Sequence, residues 1–231
     1  MEDNSKELLQ GHLQQISDTY DTFTPIDHRN YLKKLKNDGF EPLVIYDIGA
    51  GVLTWTRYAK ELWPDAIFIA FDAFRPAAFV YDKYDIDYYI GVLGNRDNKA
   101  VKFYQNEYYI FGNSYYRDVE YQTFGQYDEN DYIKLRVNKL DTIVEKKEFP
   151  WPDLIKISVE GCEKDVIEGA KICLDHCERL IVNMHHEPVK LGAPKVYQTL
   201  PQLMNMGWAC DAPCFCDNGS NCDYGFYNIY K

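Results

Sequence analysis

Leu43-Val44-Ile45-Tyr46-Asp47-Ile48-Gly49-Ala50-Gly51 is the stretch that decides the fold. A short apolar run reaches an acid near its end, and a glycine turn follows. Residues 54–63 then read as a helix. A second apolar run, Ile67 to Phe71, ends at Asp72. A strand, a glycine turn, a helix and a strand tipped by an acid together present a nucleotide in open α/β sheets. Glycine lets the backbone approach a ligand, and the second acid accepts hydrogen bonds from ribose hydroxyls. The pattern predicts an adenosine-containing ligand held by Gly49, Ala50, Gly51 and Asp72, with Ala73 beside it.

Outward from this stretch, apolar runs recur at Leu43–Tyr46, Ile67–Phe71, Leu154–Val159 and Leu180–Asn183. Each is short and nearly continuous, as in parallel strands covered on both faces. Helical patterns lie at 54–63, 163–177 and 195–206, and a last strand is expected at 225–230. Strands alternating with helices predict a doubly wound, mostly parallel α/β sheet. Leu8, Leu9, Leu13 and Ile16, then Tyr31, Leu32 and Leu35, predict two earlier helices over 5–17 and 28–38. Pro25 separates them, and Gly39 stops the second. The expected organisation is one domain over 1–231, with an N-terminal helical segment (1–40) and an α/β core (41–231). A chain of 231 residues can bury roughly 70% of its surface as one domain.

The net charge of −11 disfavours nucleic acid, whose phosphates need a basic face, and disfavours an anionic membrane. Lys33, Lys34 and Lys36 form the densest basic group and read as a solvated helix face. No apolar run approaches the length of a membrane span. The polar, acidic start does not resemble a secretory leader. The expectation is a cytoplasmic chain whose seven cysteines are reduced.

The glycine turn does not itself name the ligand. A dinucleotide fingerprint reads Gly-x-Gly-x-x-Gly; Gly49 and Gly51 fit, but Thr54 stands third. Asp47 would also repel a pyrophosphate at the helix N-terminus. It favours a cationic ligand. S-adenosylmethionine carries a sulfonium and an ammonium group and no phosphate. On this reading Asp47 holds its amino-acid end and Asp72 its ribose. A nicotinamide-dependent oxidoreductase is the rival enzyme.

The segment Asp153-Leu154-Ile155-Lys156-Ile157-Ser158-Val159-Glu160-Gly161 continues through Cys162-Glu163-Lys164-Asp165-Val166-Ile167-Glu168-Gly169-Ala170. It resembles the FkbM-type family of S-adenosylmethionine-dependent methyltransferases. Their strand reads Asp-Leu-Ile-Lys-Ile-Asp-Val-Glu-Gly and their next helix Glu-x-x-Val-Leu-x-Gly-Ala. Asp47 to Leu53 resembles the family's first loop. Ile90 to Asn95 resembles its third strand and the turn beside the adenine, which adds Leu93 and Gly94 to the cofactor set. Leu140-Asp141-Thr142-Ile143 resembles its Leu-Asp-Ser/Thr element. The resemblance spans roughly 43–185. It implies a seven-stranded class I methyltransferase fold and, as in many members, methylation of a hydroxyl on a sugar or polyketide-like product.

Three positions depart from the family pattern. Gly51 replaces an Asn, Leu53 a Gly, and Ser158 the Asp before Val-Glu-Gly. Loss of that acid weakens a magnesium-assisted reading, since Mg²⁺ prefers carboxylate oxygens, and no metal is expected. The same departures support a second rival, a non-catalytic module that binds a glycan or a partner protein.

Transfer to an alcohol calls for a base. His185 and His186, after the strand at Leu180–Asn183, are candidates, with His185 favoured and Glu160 as its orienter or a substrate ligand. A solvated strand end and a helix-capping Glu160 are the bland alternatives. The segment 81–132 holds 12 of the 20 tyrosines and reads as strands and long loops over one sheet edge. Its cluster Asn113, Ser114, Tyr115, Tyr116, together with Ser158, is the candidate surface for a carbohydrate or glycan acceptor. Cys210, Cys214, Cys216 and Cys222 lack the paired C-x2-C spacing of common zinc sites and read as thiols in a loop.

Overall fold

Strand β1 (Val44–Ile48) is buried at all five positions, because helices cover the sheet on both sides of it. The computed structural model describes residues 2–105, 110–117, 132–187, 190–217 and 219–231. Ile45 faces a core built with Leu32, Leu35, Trp55 and Ala59. Tyr46 and Ile48 face the opposite core, with Leu140, Val144, Val166, Leu174 and Leu203. Alternation along one strand thus feeds two hydrophobic layers.

In chain order, α1 (Glu2–Asp18), α2 (Tyr20–Phe23) and α3 (Ile26–Asn37) precede β1. Then come α4 (Thr54–Leu62), β2 (Ile67–Asp72), α5 (Ala78–Lys83), β3 (Asp87–Ile90) and β4 (Val92–Leu93). They are followed by β5 (Lys99–Phe103), β6 (Ile133–Asn138), α6 (Leu140–Lys147), β7 (Leu154–Ile157), α7 (Glu163–Glu168) and α8 (Lys171–His176). The chain closes with β8 (Arg179–His185), α9 (Val196–Asn205), β9 (Trp208–Asp217) and β10 (Asn221–Asn228). The main sheet has seven strands in the order β3-β2-β1-β7-β8-β10-β9. β10 runs antiparallel to both of its neighbours, and β1, β2, β3, β7 and β8 pair in parallel. A second sheet, β4-β6-β5, stands beside the β3 edge.

The doubly wound sheet and both early helices agree with the sequence reading. The expected helix over 163–177 is instead two helices, α7 and α8, parted at Gly169. A Cβ there would sit 2.0 Å from the Gly94 carbonyl oxygen, so two backbones cross at this point. β7 stops two residues early, because Glu160 and Gly161 turn the chain at φ 53° and 91°. Residues 208–217 form strand β9, not a loop. β9 is an edge strand in which only Trp208 and Cys216 are buried, so it lacks the continuous apolar run that marks the inner strands. Cys214 and Cys222 form a disulfide across the β9–β10 hairpin, which corrects the expectation of uniformly reduced thiols. Cys162, Cys173, Cys177, Cys210 and Cys216 are free. The tyrosine-rich middle supplies β3, β4 and β5, and β6 follows it; residues 106–109 and 118–131 lie outside the described residues. No described helix is long and apolar enough to cross a membrane.

Candidate active site

A cleft, open at its mouth, lies over the C-terminal ends of β1, β2, β3 and β7. That is where open α/β sheets place ligands. Gly49 and Gly51 line it beside Asp72 and Ala73; Gly91, Val92 and Leu93 form one end; Ser158, Val159 and Glu160 form the other. Phe103, Phe111, Asn113, Ser114 and Tyr115 complete the lining.

Gly49 brings β1 and β7 together. A Cβ there would lie 1.8 Å from the Ser158 carbonyl oxygen, and its φ is +82°. Gly49 donates its N–H to the Phe71 carbonyl at 2.8 Å, and Ser158 donates to Ile48 at 2.9 Å. Gly51 donates its N–H to Asp72 Oδ2 at 2.7 Å, and its carbonyl accepts the buried Tyr81 hydroxyl at 2.6 Å. The turn is therefore pinned to β2 and α5. Leu53 holds φ 64° although it is not glycine. Its side chain is fully buried in the core under α4, which offsets the cost of that left-handed conformation. The loop keeps the bend that a glycine would give it.

Asp72 Oδ1 accepts the Phe74 N–H at 2.8 Å, and burial raises its carboxyl above the ordinary range. Its position fits ribose recognition. Asp47 differs. It is 1% exposed, accepts a hydrogen bond from Thr56 at 2.6 Å and pairs with Lys156 Nζ at 3.1 Å. It does not line the cleft. Its charge is met behind the glycine turn, where it ties β1, β7 and α4 together. Ala50 is buried beneath the turn, and Gly94 packs against Val137; neither lines the cleft.

The far wall rests on Glu163, which sequence reasoning did not single out. This carboxylate is 3% exposed and accepts the N–H groups of Val159 and Gly161, each at 3.2 Å. Burial pushes its pKa up to about 8. Its only sequence signal is its place opening the helix after Val-Glu-Gly, where an acid suits the helix N-terminus. Lys156 carries a clearer signal, as a lone cation inside an apolar strand.

The tyrosine cluster forms a roof. Ser114 is buried, donates its hydroxyl to the Glu160 carbonyl at 2.8 Å and accepts the Tyr116 N–H at 3.0 Å. Tyr115 and Tyr116 donate to the same carboxylate oxygen of Asp165, at 2.5 and 3.1 Å, and Asn95 donates to its partner oxygen at 3.0 Å. Lys190 donates to the Gly112 carbonyl at 2.6 Å. Burial raises both tyrosine hydroxyls, so they stay protonated as donors. Asn113, Ser114 and Tyr115 line the cleft, while Tyr116 does not.

Glu160 and Ser158 line the cleft; His185 and His186 do not. His185 ends β8 at 2% exposure, and neither ring nitrogen has a hydrogen-bond partner among the described residues. Burial, then the charge of Lys190, depresses its pKa to about 4, so it is neutral at pH 7. His186 is exposed, and its Nε2 meets the Tyr224 hydroxyl at 3.1 Å.

The lining includes two carboxylates, Asp72 and Glu160, and no Lys, Arg or His among the described residues. A pyrophosphate would meet acids without a balancing cation, whereas a sulfonium and an ammonium group suit this electrostatics. Val92, Leu93 and Phe103 give the cleft an apolar stretch, which suits an aromatic ring. The residues present therefore fit S-adenosylmethionine.

A family profile described as the methyltransferase FkbM domain matches residues 47–208. The chain belongs to the FkbM methyltransferase family. It is an S-adenosylmethionine-dependent methyltransferase with a class I, Rossmann-like fold. Among solved structures it is similar to the O-methyltransferase TomG of Streptomyces achromogenes, involved in tomaymycin synthesis and determined with S-adenosylmethionine. The identity is 9%, the TM-score 0.51, and 93% of this chain and 87% of TomG are covered. A Klebsiella pneumoniae protein provisionally described as an O-methyltransferase shares 11% identity at TM-score 0.50, over 93% and 88% of the two chains. At such identities the likeness concerns the fold. No curated protein sequence matches this FkbM-family chain.

Proposed function

We propose that this methyltransferase acts on oxygen, methylating a sugar hydroxyl of a glycan or glycosylated product. The observation that carries this reading is the polar and aromatic character of the cleft mouth beside the acid-lined donor site. Phe111 is 41% exposed and stacks on Phe23 with ring centroids 6.2 Å apart, while Asn113 and Tyr115 line the same cleft. Aromatic faces, those of Phe111 and Tyr115 here, pack against the apolar faces of sugar rings, and amide groups such as that of Asn113 read their edges. Ser158, where the family has an acid, adds a neutral hydroxyl to this wall.

Bound S-adenosylmethionine supplies a methyl group on a sulfonium, ready for in-line displacement. The chain's part is to align an oxygen nucleophile and take its proton. Glu160 is the proton acceptor in this reading, because it lines the cleft and its backbone carbonyl is tied to Ser114. His185 is neutral and buried one strand away. Leu53 preserves the bend of the cofactor loop, so the loop departure does not favour a non-catalytic module.

Incubation with methyl-labelled S-adenosylmethionine and a panel of free and protein-linked glycans tests the proposal. Label should appear as a sugar methyl ether. Label on nitrogen, on carbon or on a non-carbohydrate acceptor alone would overturn it.

A further inference from the structure

Outside the cleft, the end of β8 and the β9–β10 hairpin gather a second set of reactive side chains. Ligand atoms of His186, Cys214 and Cys222 all lie within 4.8 Å of one another. The two cysteines are joined as a disulfide with Cα atoms 5.1 Å apart. An irregularity in β9 produces this meeting. Asp223 pairs with Cys216, but Gly225 pairs with Ala212, so β9 holds extra residues there. Cys214, one of them, has φ 46°. His186 is fixed beside the hairpin turn by its N–H bond to the Ser220 carbonyl at 2.9 Å, and the Tyr224 hydroxyl at Nε2 orients its ring.

We propose that His186, Cys214 and Cys222 form a thiol-gated site for a borderline-soft divalent cation of the zinc class. The cation takes the place of the disulfide when the pair is reduced. A dithiol reductant gives two electrons and two protons to the S–S bond, which becomes two thiols, and the reductant leaves as its own disulfide. Cation binding then releases both thiol protons to solvent. Two thiolates and a neutral imidazole are ligands that select zinc over magnesium or calcium.

The geometry serves both states. Zinc holds sulfur at about 2.3 Å and imidazole nitrogen at about 2.0 Å, so tetrahedral ligand atoms stand roughly 3.3–3.8 Å apart. A Cα separation of 5.1 Å allows the bonded pair, and a rotation at Cβ opens the sulfurs to that spacing. His186 and Cys214 are exposed while Cys222 is buried, so a cation arrives from solvent and keeps water at its fourth position. The His28, Cys216 and Asp223 group contrasts with this. All three are buried, and His28 Nε2 already pairs with Asp223 at 3.0 Å, which latches α3 to β10.

Cobalt is the probe. The full chain is reduced with a dithiol, desalted without oxygen and titrated with Co²⁺, followed by Zn²⁺. The expected result is a thiolate-to-cobalt charge-transfer band that saturates at one equivalent and is abolished by zinc. Oxidised protein should show no band until it is reduced again. Cys214→Ser and His186→Ala should each weaken cobalt binding by more than about tenfold, and Cys210→Ser should leave it unchanged. Circular dichroism melts establish that each variant is folded. Reduced wild-type protein without the band, or an undiminished band in folded Cys214→Ser, would overturn the proposal.

Discussion

Adding a single methyl group at Gly49 tests how the cleft is built. In Gly49→Ala the new Cβ would sit 1.8 Å from the Ser158 carbonyl oxygen and 2.7 Å from its carbon. Real Cβ atoms essentially never come within 3.0 Å of such atoms, so the end of β7 must move by more than an ångström. The φ of +82° adds about 1–2 kcal/mol for an L-residue, and forced displacement in a packed region adds about 1–3. Separation also strains the 2.9 Å bond between Ser158 and Ile48. The expected loss is roughly 2–5 kcal/mol of stability, read by urea unfolding. S-adenosylhomocysteine affinity, read by calorimetry, should fall by more than about tenfold, because both sides of the cleft floor shift. Gly51→Ala is the control. Its Cβ meets nothing within 4 Å, so only the backbone cost at φ +54° applies, about 1 kcal/mol. If Gly49→Ala matched Gly51→Ala in stability and bound the ligand as the parent does, the close β1–β7 contact would not shape the site.

Asp72→Asn should weaken S-adenosylhomocysteine binding by about 1.5–3 kcal/mol in calorimetry, through loss of a charge-assisted ribose bond; an unchanged Kd would contradict its role. Lys156→Met leaves the Asp47 carboxylate buried without its cation, so denaturant melts should show a loss of about 3–5 kcal/mol. Glu160→Gln should abolish transfer to the acceptor while S-adenosylhomocysteine still binds; retained turnover removes it as the base. Glu163 sets a pH dependence. Its folded pKa of about 8 lies above the ordinary 4.5, so the folded chain keeps a proton that the unfolded chain releases. The stability this group contributes is full below pH 4.5 and is lost as pH rises through about 8. Melts of Glu163→Gln should therefore lack that part of the decline between pH 4.5 and about 8, a difference on the order of 5 kcal/mol; parallel curves for the two proteins would refute it.

The main strands were legible because each is a short apolar run between turns, and β1 and β2 ended near the glycine and acid that line the cleft. Local pattern cannot report backbone crossings, which is why Gly169 divided one expected helix into α7 and α8. β9 was missed because an edge strand with only two buried residues lacks a continuous apolar signal. Of the residues singled out in the sequence as cofactor-binding, Gly49, Gly51, Asp72, Ala73 and Leu93 line the cleft. The direction in which Asp47 points could not, since it depends on Lys156, more than a hundred residues on, pairing with it across adjacent strands. The same holds for Tyr115 and Tyr116, whose hydroxyls are committed to Asp165. Sequence shows which groups exist, but their partners come from strand register.

Calorimetric titration of the chain with S-adenosylhomocysteine, and in parallel with NAD, tests the central claim most directly. Saturable binding of S-adenosylhomocysteine at one site, with no heat from NAD, is the predicted result. Binding of NAD with none of S-adenosylhomocysteine would contradict the assignment of the acid-lined cleft to a sulfonium cofactor.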